Sequence, residues 1–191
     1  SIVKSILCQI NKQPVKAKYT SDELECFLDT IEYNVGDKIL LVGHIGNLGK
    51  RLRGLGTSVT ILENSNYEDV CYSLVYNENC NVVKGKLEFL PFDDNQFNKI
   101  IIVDQFNVIT DCEKASSEIQ RVLKGNGEVI LEDLNLKNLK VKLNYLKHKF
   151  CGSVAKIHYP HEVFNIFSRL NFDGMIKESN KLKYIYVGKR R

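Results

Sequence analysis

The stretch Lys38-Ile39-Leu40-Leu41-Val42-Gly43-His44-Ile45-Gly46-Asn47-Leu48-Gly49 decides the fold. Residues 38–42 follow a break at Gly36-Asp37 and predict a strand buried on both faces, as in a parallel sheet. Glycines at 43, 46 and 49 permit a tight turn and a close approach of backbone to a ligand. Leu48, Leu52 and Leu55 recur at helical spacing, and Gly54 and Gly56 mark where that helix ends. A helix starting at a glycine turn aims its electropositive N-terminus at whatever the turn holds. A second strand over 58–63 ends in Glu63, 20 residues after Gly43, where a carboxylate would accept hydrogen bonds from ribose hydroxyls. Strand, glycine turn, helix, strand and acid, in that order, fit a nucleoside-containing cofactor held by Gly43, His44, Gly46 and Glu63.

Working outward, Leu24, Phe27, Leu28 and Ile31 form one stripe of a helix over 21–33, and Thr20-Ser21-Asp22-Glu23 offers a capping box at its start. Downstream the pattern predicts a helix over 68–76, a short strand over 81–83 and an apolar strand over 99–103. Asp111 starts a helix with Ala115, Ile119, Val122 and Leu123 on one face, terminated by Gly125-Asn126-Gly127. A strand over 128–131, a helix over 160–170 and two closing strands over 174–178 and 183–187 complete the chain. Such alternation predicts an α/β fold, a Rossmann-like doubly wound seven-stranded mostly parallel sheet with a C-terminal antiparallel hairpin. Ligands of such a sheet bind beyond the carboxyl ends of its strands. We expect one domain over 1–191, with an N-terminal helical segment at 1–34 and a substrate-side insert at 134–159.

Composition narrows the function classes. With 191 residues, 43% hydrophobic and 26% charged, the chain is not disordered. No apolar run approaches the ~20 residues of a membrane span, and the first residues lack a signal peptide's apolar core, so no membrane partner and a cytoplasmic location are expected. Six cysteines at irregular spacing, none in a C-x-x-C pair, argue for reduced thiols and against a zinc site. A net charge of +4 permits nucleic-acid contact without favouring it. Residues 137–149 read as a helix with a solvated basic face, in which Leu139, Leu143 and Leu146 interleave with Lys137, Lys140, Lys142, Lys147, His148 and Lys149; a polyanion-binding patch is the sharper alternative.

Leu90-Pro91-Phe92-Asp93-Asp94-Asn95-Gln96-Phe97-Asn98 resembles the "LPF.d..FD" segment of class I S-adenosylmethionine-dependent methyltransferases of the type 11 kind. Asp111-Cys112-Glu113-Lys114-Ala115 and Glu118-Ile119-Gln120-Arg121-Val122-Leu123-Lys124-Gly125-Asn126-Gly127 resemble that family's "D.EKAL.EI.RVLKPGG". His161-Glu162-Val163 to Leu170-Asn171-Phe172 is similar to its helix ending in "aGF". The resemblance implies S-adenosylmethionine as cofactor and adds Leu87 and Val103 to the residues lining it. Several positions depart from the family's pattern. The acid of its first motif falls at Leu41, the glycine loop is one residue short, the acid that meets adenine falls at Lys86, and a frequent histidine falls at Val108. Each lost charge-assisted hydrogen bond removes ~1.5–3 kcal/mol, which predicts weak cofactor binding, above ~10 µM.

Methyl transfer from a sulfonium needs an aligned nucleophile and, for oxygen or nitrogen acceptors, a base. Asp104, at the end of the fourth strand, and His44 are the catalytic candidates, with Asp133 and His158 behind them. Tyr19 and Tyr33 could line a pocket, although core packing explains them; Tyr159 and His161 flank Pro160 as a helix cap would. The resemblance implies a methyltransferase acting on a small molecule, or on an acceptor presented by a partner. Leu41, Lys86 and Val108 carry the alternative, a methyltransferase-like fold that has lost its cofactor and serves as a binding or regulatory subunit. A dinucleotide-dependent dehydrogenase is disfavoured, because the glycine spacing is not G-x-G-x-x-G.

Overall fold

In the computed structural model, which describes residues 21–43, 48–63, 79–152, 156–179 and 182–191, the run after Gly36 forms β1 (Lys38–Val42), buried at every position but the first. The preceding helix α1 (Ser21–Leu28) is shorter than its periodicity predicts. Thr30 Oγ1 donates to Phe27 O at 2.6 Å and closes the last turn, yet Phe27, Leu28 and Ile31 all reach the core. α2 (Leu48–Gly54) buries Leu48 and Leu52, while Leu55 falls past its end and is partly exposed. The helix expected over 68–76 lies outside the described residues.

β2 (Ser58–Glu63), β3 (Asn81–Lys84), β4 (Phe97–Val103), β5 (Leu123–Leu134), β6 (Phe172–Glu178) and β7 (Lys183–Arg190) join β1 in one seven-stranded sheet of order β3-β2-β1-β4-β5-β7-β6. β1 to β5 pair in parallel, and β7 lies antiparallel between β5 and β6. α3 (Cys112–Val122) and α5 (Pro160–Ser168) cover one face over Leu40, Ile100, Ile102, Leu131 and Tyr186. α1 and α2 cover the other, over Ile39, Leu41, Ile61, Ile101 and Ile130. Alternate residues of β1 thus enter opposite cores, which is why its sequence is apolar throughout.

Several boundaries differ from the sequence reading, and the end of α3 is the most informative. Gly125-Asn126-Gly127 does not end α3; the helix stops at Val122, and Leu123 is already extended (ψ 139°) and paired with Phe97. The register shifts between Phe97 and Lys99, so the glycines lie in a bulge within β5, where Asn126 takes a positive φ of 63°.

The segment 90–98 and α3 hold each other. Arg121 donates to Phe92 O at 2.8 Å and Leu90 O at 3.0 Å, while Leu90 N donates to Glu118 Oε2 at 2.8 Å. The Arg121 guanidinium keeps the Glu118 carboxyl below its ordinary range. The two blocks that carry the family resemblance are therefore one structural clasp.

Candidate active site

The carboxyl ends of β1, β2, β4 and β5 meet at one edge. Gly43 follows β1 with φ +90°, and a Cβ there would stand 2.3 Å from Val103 O and 3.1 Å from Gln105 Cγ. Only glycine lets the loop after β1 lie this close to the end of β4. Glu63 ends β2 half-buried, and its backbone carbonyl accepts from Gly85 N at 3.1 Å. Val103 and Leu87 are buried in opposite cores. Leu41 is fully buried against Phe27, Leu48 and Ile61, so no side chain projects from that position toward a ligand. Lys86 is exposed. His44 and Gly46 lie outside the described residues, as does Tyr19.

Asp104 sits one residue past β4 with φ 53°, and its N–H donates to Glu132 O at 3.0 Å. Its side chain is split in function. Oδ2 accepts from Lys183 Nζ at 2.9 Å, whereas Oδ1 is buried without a hydrogen-bond partner among the described residues. Lys183, at the start of β7, also stands 3.7 Å from Glu132 Oε1, and Ser179 Oγ donates to Glu132 Oε2 at 2.6 Å. Two carboxyl groups thus share one buried lysine. Burial raises the Asp104 pKa, and Lys183 opposes that rise.

Asp133 serves differently. It is enclosed and accepts from Asn107 Nδ2 at 2.7 Å, Asn107 N at 3.1 Å and Leu134 N at 2.8 Å. These bonds pin the 3-10 turn Phe106–Val108 that follows Asp104. Burial pushes the Asp133 carboxyl up to about 7 against the pull of the Asn107 bond. His158 is buried too, with Nε2 3.4 Å from Cys112 Sγ and its ring against Phe106. Burial raises the Cys112 thiol to about 11 and lowers the His158 pKa, so both are neutral at pH 7. Among the described acid–base candidates, Asp104 alone keeps an oxygen with no hydrogen-bond partner among the described residues. Tyr33 packs against the core beside α1, and Tyr159 N donates to Glu162 Oε2 at 2.7 Å as α5 begins.

Lys183, Glu132, Asn107 and Ser179 escape the sequence reading. The available signal was a lysine opening an apolar strand, Lys183-Tyr184-Ile185-Tyr186-Val187, and an acid pair closing another, Leu131-Glu132-Asp133. Charges at the carboxyl edge of buried strands mark a site only once the strands are known to be neighbours. Among the described residues no group of three His, Cys, Asp or Glu could hold a metal ion, and no helix is long and apolar enough to cross a membrane.

Residues 41–131 match a family model described as a methyltransferase domain. The chain is 24% identical over 136 residues to the sterol 4-C-methyltransferase strm-1 of Caenorhabditis elegans, covering 63% of this chain and 40% of that protein. It is 36% identical over 56 residues to the ubiquinone/menaquinone biosynthesis C-methyltransferase UbiE of Hahella chejuensis, covering 29% of this chain and 22% of that protein. It therefore spans less than half the length of either relative. A SAM-dependent methyltransferase from Aquifex aeolicus superposes with TM-score 0.71 at 15% identity, covering 97% of this chain and 98% of that one. The match over residues 41–131 and the shared fold together support a class I S-adenosylmethionine-dependent methyltransferase family, with S-adenosylmethionine as its cofactor.

Proposed function

We propose that this chain transfers a methyl group from S-adenosylmethionine to a small, largely apolar acceptor held at the carboxyl ends of β4 and β5, with Asp104 as the proton acceptor. The observation that carries the reading is the asymmetry of Asp104: Lys183 holds Oδ2, and buried Oδ1 has no partner among the described residues. An orphaned buried acceptor costs about 1–3 kcal/mol, which a donor arriving with a ligand would recover.

The residues present fit the cofactor at its ribose. Glu63 is an acid at the end of β2, and Gly43 keeps side-chain bulk away from the loop after β1. Leu41 and Lys86 supply no acceptor, so the amino end and the adenine fall to backbone groups. The bound cofactor supplies an electrophilic methyl group on a sulfonium. This chain's part is to align the acceptor, exclude water and take a proton. Asp104 takes that proton on Oδ1, Lys183 keeps its carboxyl in one orientation, and the bonds from Asn107 to Asp133 keep the following turn rigid.

The sterol and quinone C-methyltransferases among the relatives support an apolar acceptor. Calorimetric titration with S-adenosylmethionine, together with transfer of a labelled methyl group to a panel of sterols and quinols, tests the reading. Binding accompanied by transfer that needs Asp104 supports it; no binding at millimolar cofactor overturns it.

A further inference from the structure

The segment between β5 and α5 carries a helix, α4 (Leu139–Phe150), capped by Asn138, whose side chain accepts from Lys140 N at 2.9 Å and Val141 N at 3.2 Å. Its leucines do not face the protein. Leu139, Leu143, Leu146 and Phe150 are 69%, 59%, 53% and 91% exposed, and Val141 is the helix's one buried residue. At about 100° per residue, those four side chains fall within an arc of roughly 60°. Lys140 and Lys147 border the arc on one side and Lys142 and Lys149 on the other, with Val141 and His148 on the far face. Residues 134–161 contain six lysines and no acid.

Both ends of this segment are tied to the carboxyl edge of the sheet. Asn135 N donates to Leu182 O at 2.7 Å, and Lys156 N donates to Asn107 O at 2.8 Å, beside Asp104 and Lys183. The segment that carries α4 therefore leaves and rejoins the fold beside the candidate site.

We infer that α4 docks on an anionic lipid surface, with Leu139, Leu143, Leu146 and Phe150 among the acyl chains and the four bordering lysines at the headgroup phosphates. A contiguous exposed apolar stripe marks a contact surface. Lysines along both borders can lay their stems beside the stripe and raise their ammonium groups to the interface. The charge is of one sign along the whole segment, which complements an anionic membrane. Docking rests on α4 alone; the corollary that the acceptor enters the site from the lipid rests on the proposed function.

Sedimentation of the whole chain with phosphatidylcholine vesicles, with and without about one-third phosphatidylserine, tests the inference. The chain should sediment with the anionic vesicles and much less with the neutral ones. L143N/F150N should weaken that binding by about tenfold or more, and K140Q/K149Q by about tenfold to thirtyfold, at about fivefold per lysine. Both pairs are exposed, so circular dichroism should show an unchanged fold. No sedimentation at low salt overturns docking and leaves the stripe to a protein partner. Full binding by L143N/F150N together with loss in K140Q/K149Q also overturns it, in favour of a polyanion patch. Intact S-adenosylmethionine binding in a chain that ignores vesicles would place the failure in α4 and not in the methyltransferase reading.

Discussion

Lys183 Nζ lies 2.9 Å from Asp104 Oδ2 and is itself 3% exposed, so a lysine from the start of β7 neutralises an acid just past the end of β4. The same ammonium stands 3.7 Å from Glu132 Oε1. Removing one partner from a buried pair leaves the other charge uncompensated. Lys183→Met should therefore destabilise the fold by about 3–5 kcal/mol. Urea denaturation followed by circular dichroism measures this, and an unchanged midpoint would show that the pair carries no net stability.

The free oxygen of Asp104 makes a kinetic prediction. Asp104→Asn should lower methyl transfer by about 10²–10⁴-fold and leave S-adenosylmethionine affinity nearly constant, as expected for loss of a base. Because burial raises the Asp104 pKa, transfer should fall with decreasing pH at a midpoint above the ordinary aspartate range. A rate profile flat down to that range contradicts the assignment.

Asp133 makes a stability prediction with a definite sign. Its folded-state pKa is raised to about 7 from 3.8, so the folded protein holds a proton that the unfolded chain releases. The stability from this group is complete below about pH 4 and is lost as pH rises toward 7. Its slope approaches 1.4 kcal/mol per pH unit inside that window. Comparing urea midpoints of the protein and its Asp133→Asn variant across pH isolates this slope. The variant should start less stable, since its amide would meet the N–H of Asn107 or Leu134, and the gap should narrow as pH rises. A gap that stays constant with pH would mean that Asp133 titrates normally.

Gly43 is a steric prediction. With φ +90° and a would-be Cβ 2.3 Å from Val103 O, Gly43→Ala should cost roughly 1–3 kcal/mol in backbone strain and push the β1 loop off the end of β4. Cofactor affinity should fall along with thermal stability. Loss of neither would mean that the loop has other room to move.

Glu63 is the binding prediction. Glu63→Ala should weaken S-adenosylmethionine binding about tenfold, near 1.4 kcal/mol, through loss of the carboxylate hydrogen bonds to the ribose. Calorimetry reads this directly, and an unmoved affinity would retire the ribose role.

Sequence by itself determined the alternation of strands and helices and the position of β1 and β2 to the residue, and it singled out the sheet edge proposed here for a ligand. These follow from local facts. Ile39 to Val42 can only be buried on both faces, and a strand leading through glycine into a helix exposes backbone donors at that turn. Asp104 was legible as a strand-end acid for the same reason. The clasp of Arg121 and Glu118 on residues 90–96 appeared in the sequence only as a family resemblance, because its hydrogen bonds span about 30 residues.

Tertiary structure alone decided the rest. Lys183 is 79 residues from Asp104, and no periodicity relates them; they meet because β7 inserts antiparallel beside β5. It likewise turned Asp133 and His158 from candidate bases into enclosed supports, since burial depends on what covers a strand end. The glycines at 125 and 127 became a bulge because Leu123 pairs with Phe97 before the helix would otherwise end. The spacing of Leu139, Leu143, Leu146 and Phe150 fixes that they share a side of their helix. Which side meets the protein depends on the neighbours, and here Val141 is the side chain that faces inward.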